Sequence, residues 1–469
     1  MTLFFLFDIS HFVENHEARE KNIMGYEPIG KLIMKISLPI MVSMLVQALY
    51  NVVDSIFVSW VSEDALTAVT LAFPLQNLMI AFAIGTAVGV NSLLSRRLGE
   101  ERYEDAEKAG ANGLFLSFCT WILFVVIGLF FARPFLGMFT EDPYLLESSV
   151  LYTRICLVLS FGVFFEITAE RIMQATGDSF HPMITQGVGA IANIILDPVF
   201  IFTFKMGVAG AAIATVIGQV MAMILALYFM KKNKYIKVSM KGFKPDGKSI
   251  RDIYEVGVPT IITNSIGTVM VSALNGILIR FSTTAVSVFG VYFKLQSFVF
   301  MPVFGLSAGL VPIEGFNYGA RNRHRITEAV RKGAIIALVI MGVGFLVFQI
   351  FPDFLLGLFN ASEEMLRYGR PALRRISICF IPAAIAIALG STFQAVGKGI
   401  YTMIISISRQ LAALVPAAYI LSSIIGTVDG VWLAFPVAEV VGLSLSIFFY
   451  LRVYRKMIKP LGEKSNTLS

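Results

Sequence analysis

Apolar residues run along the chain in long blocks separated by short polar connections. Set against their flanking charges, the blocks predict twelve helices over about residues 33–60, 64–95, 111–138, 146–175, 180–204, 208–231, 253–280, 284–316, 333–359, 367–396, 400–425 and 430–453. Each reaches the roughly 20 residues that an α-helix needs to cross a bilayer. Several exceed it, which leaves room for tilt. The fold class expected is an all-α polytopic membrane protein. No gap between blocks is long enough for a soluble domain, the longest being the basic stretch from Lys231 to Arg251. A fused ATPase or other soluble catalytic domain is therefore excluded, and the chain is not expected to be an enzyme.

Basic residues fall in alternate connections. One side of the membrane receives Arg96, Arg97, Arg102 and Lys108, then the run from Lys231 to Arg251, then Arg321, Arg323, Arg325, Arg331 and Lys332, and finally Arg452, Arg455 and Lys456. The other receives short connections such as Ser62 to Asp64, Thr140 to Tyr144, Ser282 to Thr284 and Ser362 to Glu364. The positive-inside rule assigns the basic connections to the cytoplasm. Both termini are then expected on the cytoplasmic side of a plasma membrane, the inner membrane of a prokaryote, and an even number of spans agrees. The start, MTLFFLF, lacks a basic leader and is interrupted by Asp8, so it reads as an interfacial tail and not as a signal peptide.

Sliding the chain against itself by 220 residues reveals an internal repeat. Pro39 meets Pro259, Phe73 to Gln76 (FPLQ) meets Phe293 to Gln296 (FKLQ), and Gly85 with Gly89 meets Gly305 with Gly309. Gly99 then meets Gly319, Gln174 to Gly177 (QATG) meets Gln394 to Gly397 (QAVG), Met183 meets Met403, and Gly210 meets Gly430. Two six-helix lobes follow, an N-lobe over 33–232 and a C-lobe over 253–457, joined by a basic cytoplasmic linker at 233–252 and flanked by tails at 1–32 and 458–469. With an even number of spans each, the lobes share one topology about an axis near the membrane normal, as transporter lobes facing a midplane cavity do. The paired GxxxG motifs read either as close helix crossings or as hinges.

Composition sharpens the picture at one point. The chain is 56% hydrophobic and 15% charged, with mean hydropathy +0.75, where soluble domains carry about 25% charged residues. Its net charge of +7 would raise the question of nucleic acid in a soluble protein, but the loops already account for it, and no nucleic-acid partner is expected. Membrane lipid and small amphipathic or cationic molecules are the expected partners, and the protein is expected to be a monomer. Cys119, Cys156 and Cys379 all fall in apolar stretches without metal-ligand spacing, and the four histidines are scattered. The stretch Gly390 to Lys398 has the wrong spacing for a phosphate loop. No cofactor is expected.

What remains are ionisable groups inside spans, which are expensive there and mark function by default. The first span carries Asp54, with Gln47, Tyr50 and Asn51 at helical spacing. The fifth carries Asn193 and Asp197 on one face, followed by Pro198. Counting 1.5 Å per residue from the outer ends places Asp54, Asp197, Thr215 and Tyr152 all roughly 8–12 Å below the outer surface. They can meet there. Two carboxylates in a low-dielectric pocket resist double ionisation, so the pair would hold a proton; the same oxygens would equally hold a sodium ion on Asp54, Asn193, Asp197 and Thr215. The alternative is that the two acids satisfy each other structurally. The C-lobe does not duplicate the pair, since Leu274 and Ala417 stand at the equivalent places. Its in-span charges are Lys294, Arg409 and Glu439, and Lys294 with Glu439, at similar depth, form either an ion pair or part of a cavity wall. Glu166, Glu170 and Arg171 read as snorkelling to the cytoplasmic interface. Phe and Met, 40 and 20 in number, are abundant enough that some line a cavity suited to bulky cations.

Three segments carry a resemblance: Ser37 to Val58 (SLPIMVSMLVQALYNVVDSIFV), Asn193 to Gln219 (NIILDPVFIFTFKMGVAGAAIATVIGQ) and Gly315 to Asn322 (GFNYGARN). They resemble the MATE family of multidrug and toxic compound extrusion transporters, over nearly the whole chain except its first 20 or so residues. The resemblance implies export of organic cations in exchange for protons or sodium. It is nearest the DinF-like prokaryotic branch, and what is known of that branch carries the coupling site onto Asp54, Asn193, Asp197 and Thr215, with Gln47 and Tyr152 adjoining. Pro39 matches a proline whose helix bends as that site is protonated. The NorM-like branch uses acids of the second lobe, where this chain has Gly267 and the Gly397–Lys398 turn. A lipid-linked precursor flippase of related architecture is the competing reading.

Overall fold

The computed structural model describes residues 21–59, 61–359 and 361–461. Among these it is helical, with no strand. The N-lobe comprises α1 (Ile29–Ser59), α2 (Glu63–Gly99), α3 (Tyr103–Leu136), α4, α5 (Phe180–Thr203) and α6 (Gly207–Lys231). The C-lobe comprises α7 (Gly247–Leu278), α8 (Thr283–Gly319), α9 (Arg323–Ile350), α10 (Glu363–Ala395), α11 (Gly399–Ile425) and α12 (Asp429–Leu461). α4 is a pair, Pro143–Val158 and Phe161–Ala175, bent by 42°. Eleven described helices are each long and apolar enough to cross a membrane, and the bent pair makes twelve. The protein is therefore a multi-pass membrane protein, and most spans begin and end within a few residues of the sequence expectation; polar first turns extend α3, α7 and α9, α9 stops at Ile350 short of the expected 359, and α12 runs past the expected 453 to Leu461.

The tails and linker are shorter than expected. α1 starts at Ile29 and α7 at Gly247, and α12 continues to Leu461. The part of the tails at 1–20 and 462–469, with His11 and His16, lies outside the described residues. Residues 22–27 strap the basic-loop end of the molecule. Asn22 Nδ2 donates to Thr176 O of the N-lobe (3.0 Å), while Asn317 Nδ2 and Arg325 Nη2 of the C-lobe donate to Met24 O (3.1 and 3.0 Å).

The repeat extends to backbone detail. Ser62 and Ser282 cap α2 and α8, and Asp142 and Ser362 cap the fourth and tenth spans, each accepting from a first-turn N–H. Glu101 and Arg321, in the loops that follow α2 and α8, both adopt φ +59°. Every one of these pairs sits 220 residues apart.

The GxxxG glycines are close crossings between the lobes. α2 packs along α7, and α8 along α1. A Cβ on Gly85 would lie 2.8 Å from Gly257 O and one on Gly305 2.8 Å from Met41 Cα; on Gly89 it would lie 2.2 Å from Ile253 O and on Gly309 2.2 Å from Ser37 Oγ. At the basic-loop end, Gly99 faces Phe316 O and Gly319 faces Arg96 O, at 1.9 and 2.1 Å for the same added atom. Only glycine allows backbones this close. Phe316 and Arg96 are themselves 220 residues apart, and so are Ile261, which also faces Gly85, and Met41, which faces Gly305, so the seam has approximate two-fold symmetry there, while the partners of Gly89 and Gly309 are one turn out of register. Ser92 Oγ donating to Gln394 O (2.5 Å) and Arg97 pairing with Asp252 (3.4 Å) tie it at the basic-loop end. Asn77 Nδ2 donating to Thr268 Oγ1 (2.8 Å) reaches about half-way along both helices. The lobes are thus sealed together on the basic-loop side.

Candidate functional site

Three N-lobe helices build a polar pocket. On α5, Asp197 is fully buried and Asn193 nearly so. Pro198 cannot donate to the carbonyl of Ile194, and the next turn, Val199–Thr203, is π-helical, the kind of widened turn that recurs at functional sites. On α6, Thr215 Oγ1 donates to Ala211 O (3.0 Å) and stands 3.2 Å from the Asn193 amide nitrogen. Whichever way the Asn193 amide is turned, it joins Asp197 to Thr215. On α1, the Asp54 carboxyl lies within interaction range of the Asp197 carboxyl, and the Tyr50 hydroxyl lies near Thr215. Asp54 Oδ1 is buried without a partner.

Two carboxylates this close repel each other unless a positive charge sits with them. Among the described residues no Lys or Arg pairs with either acid, so the pocket must supply its positive charge from outside, as a proton or as a cation held by oxygens. The donor set suits both: two carboxyls, one amide oxygen and two hydroxyls.

The sequence-predicted residues separate into an inner group and satellites. Asp54, Asn193, Asp197 and Thr215 meet. Tyr152 is buried within electrostatic reach of Asp54, and its hydroxyl accepts from Gln76 Nε2 (3.4 Å). Gln47 sits two turns away along α1 and accepts from Gln186 Nε2 (2.5 Å). The Asn51 side chain and Trp60 lie outside the described residues. α1 runs unbroken through Pro39, which stands at the crossing with Gly305 and Gly309. Gln76 was missed, although its motif FPLQ was one of the repeated ones.

Two expectations need correction. Lys294 and Glu439 do not pair: Glu439 Oε2 accepts from Arg409 Nη1 (2.9 Å), and Lys294 is exposed, its ammonium 6.0 Å from the ring of Phe359 in the connection between α9 and α10. The residue count along the axis gave depth but not which face Lys294 occupies. Glu166 and Glu170 do not snorkel either. Both are buried, and Glu170 accepts from Thr185 Oγ1 (2.7 Å), because the bend in α4 turns its second half into the lobe. Glu314, fully buried and accepting from Ser391 Oγ (2.9 Å), was overlooked beside the glycine seam. Cys119 is exposed, unlike Cys156 and Cys379.

Two segments, 39–199 and 259–420, match the MatE family profile, and they begin on Pro39 and Pro259, at the offset of the repeat. The chain belongs to the MATE family. Multidrug export protein MepA of Staphylococcus aureus (strain MSSA476) is 23% identical over 426 residues, which are 90% of this chain and 94% of that protein. Among solved structures, a MATE protein in complex with MaL6 superposes with TM-score 0.88 at 27% identity, covering 94% of this chain and 98% of that one. A MOP-superfamily transporter from Pyrococcus furiosus, described as having a binding pocket of reversed polarity, gives TM-score 0.89 at 26% identity over 95% and 100% of the two chains. This MATE chain is thus a transporter with the two-lobe repeat that its sequence implied.

Proposed function

We propose that this MATE protein is a secondary multidrug efflux antiporter. It exports small amphipathic or cationic molecules in exchange for protons or sodium ions, as a monomer, with both termini in the cytoplasm and no cofactor. The single observation that carries the reading is the Asp54–Asp197 contact, a like-charged pair without a basic partner in one lobe of a two-lobe seam. Multidrug export by the similar staphylococcal protein supports the substrate class.

The coupling follows from electrostatics. With the basic-loop side sealed, the pair takes up one proton or sodium ion from the opposite side. Neutralised, Asp54 and Asp197 hold α1 against α5; emptied, they repel, and α1 shifts at its crossing with α8, where Pro39 has already removed one backbone hydrogen bond. A cationic substrate and the coupling ion then favour different lobe arrangements, which is the differential affinity that exchange requires.

Dye efflux measured in everted vesicles, with a pH gradient and a sodium gradient imposed separately, tests the reading. Efflux under one gradient, lost in Asp54→Asn/Asp197→Asn, is expected. Transport that ignores both gradients, or that survives in the double variant, overturns it.

A further inference from the structure

The turns that follow α2 and α8 share a backbone, with φ +59° at both Glu101 and Arg321, but carry opposite charges. Glu101, Asp105 and Lys108 in the N-lobe become Arg321, Arg325 and Glu328 at the equivalent places of the C-lobe, and Glu104 becomes His324. In the N-lobe these charges satisfy one another. Glu100 pairs with Arg97 (2.8 Å) and Arg102 (3.4 Å), and Asp105 with Arg102 (2.5 Å) and Lys108 (3.8 Å). The linker after α6 also reaches this turn, with Lys237 N donating to Glu107 Oε1 (3.0 Å).

The C-lobe turn lacks that compensation. Its one acid, Glu328, is shared by Lys332 (2.7 Å) and His324 (3.9 Å), and Arg325 is turned inward onto Asn317 Oδ1 and the carbonyl oxygens of Met24 and Glu27. Among the described residues neither Arg321 nor Arg323 has a carboxylate partner. Both line an open concavity of about 580 Å³, together with His324, Thr327, Tyr454 and Leu461. Arg323 is fixed there, because its Nη2 donates to the Tyr454 hydroxyl (2.7 Å) and its guanidinium stands 5.5 Å from the centre of that ring. Tyr454 itself is presented by a π-helical turn, Tyr454–Ile458, at the end of α12. The other N–H groups of Arg323, and the whole fork of Arg321, find no acceptor among the described residues.

Cationic donors gathered in a concavity without an acid suit a ligand with concentrated negative charge and several acceptor oxygens, and guanidinium forks match phosphate in particular. The surface next to the concavity selects the kind of phosphate. On α9 the face of Thr327 continues at four-residue spacing through Arg331 to Ile335 and Val339, and on α12 the face of Tyr454 continues through Leu451 to Ile447. All four aliphatic side chains are exposed. Within about 12 Å along either helix, the exposed surface thus changes from cationic to aliphatic, as a bilayer changes from headgroups to acyl chains. We propose that this concavity holds the headgroup of an acidic phospholipid, with the phosphate on Arg321, Arg323 and His324 and the acyl chains along α9 and α12. The site is independent of the efflux reading, since it takes nothing from which ion or substrate moves.

Fluorescence anisotropy on the purified full chain in detergent can compare a labelled phosphatidylglycerol with a phosphatidylcholine of the same acyl chains and label. The wild type should bind the acidic lipid about tenfold more tightly, the worth of one charge-assisted hydrogen bond. Arg321→Gln/Arg323→Gln should bring the two lipids to within about twofold. Should that variant not fold, Arg321→Gln alone changes only an exposed side chain and should reduce the preference to about threefold. Lys241→Gln/Lys244→Gln removes the same charge from exposed positions of the linker and should leave the preference intact. Equal binding of the two lipids by the wild type, a preference that outlives the arginine variants, or an equal loss in the linker variant, as diffuse surface charge would give, overturns the proposal. Free glycerol phosphate should compete only weakly; if it binds as tightly as the lipid, the ligand is a soluble phosphate ester and the lipid assignment fails.

Discussion

The two lobes share a backbone and differ in what their fifth and sixth helices hold. In the N-lobe, α5 and α6 cross at small residues, with a Cβ on Gly189 only 3.0 Å from that of Ala222, and the polar residues gather further along as Asp54, Asn193, Asp197 and Thr215. At the equivalent crossing of α11 and α12, Arg409 takes the place of Gly189 and Gly442 that of Ala222. One lobe has a like-charged pair with no basic partner among the described residues, and the other an opposite pair whose charges cancel. On the antiporter proposal, a duplicated scaffold separates two tasks: an ion-dependent switch in one lobe and a polar, aromatic cavity in the other.

The sharpest way to break this comparison is to neutralise the N-lobe pair. Asp197→Asn should abolish gradient-driven efflux while dye binding in detergent persists, and Asp54→Asn should do the same. Coupled transport in either variant would remove the pair from the mechanism. Next comes the C-lobe pair. Arg409→Gln leaves Glu439 buried and unpaired, which should cost about 3–5 kcal/mol of stability, whereas Arg409→Gln/Glu439→Gln should recover much of it and still couple efflux to the gradient. Thermal melts and vesicle efflux check both statements, and loss of coupling in a well-folded double variant would make the lobes equal partners in ion exchange.

Smaller effects test the symmetry. Gly99→Val and Gly319→Val force a side chain onto the opposing backbone, so each should cost about 1–3 kcal/mol and open the basic-loop side to thiol labelling at Ser92→Cys. The two should match. A large difference between them would show that the seam is symmetric in shape but not in energy. Lys294→Gln, on an exposed side chain, should change stability by no more than about 0.5 kcal/mol and leave efflux intact.

Much of this was legible in the chain. The helices could be read because bilayer spans are long and apolar, and the lobes because Pro39, Gly85, Gly89, Gly99 and the QATG segment recur at one offset. The Asp54–Asp197 meeting could be read because both acids sit at one depth on neighbouring helices. Depth alone could not give azimuth, which is why Lys294 was offered as a partner for Glu439, beside the cavity-wall alternative, where the structure has Arg409. Nor could it foresee the bend after Val158 that carries Glu166 and Glu170 inward. The glycine seam was visible as motifs, but whether the glycines faced a neighbouring lobe or a hinge depended on three-dimensional packing.

The central claim is that substrate and coupling ion are linked through Asp54 and Asp197. Binding linkage is reciprocal, so it can be read without a membrane gradient. Purified protein in weakly buffered detergent is titrated with dye while a pH indicator and a sodium electrode follow release. The account predicts about one proton or one sodium ion released per dye bound by the wild type, and none in Asp54→Asn/Asp197→Asn. Saturable dye binding with no ion released, or with equal release in the double variant, would contradict it.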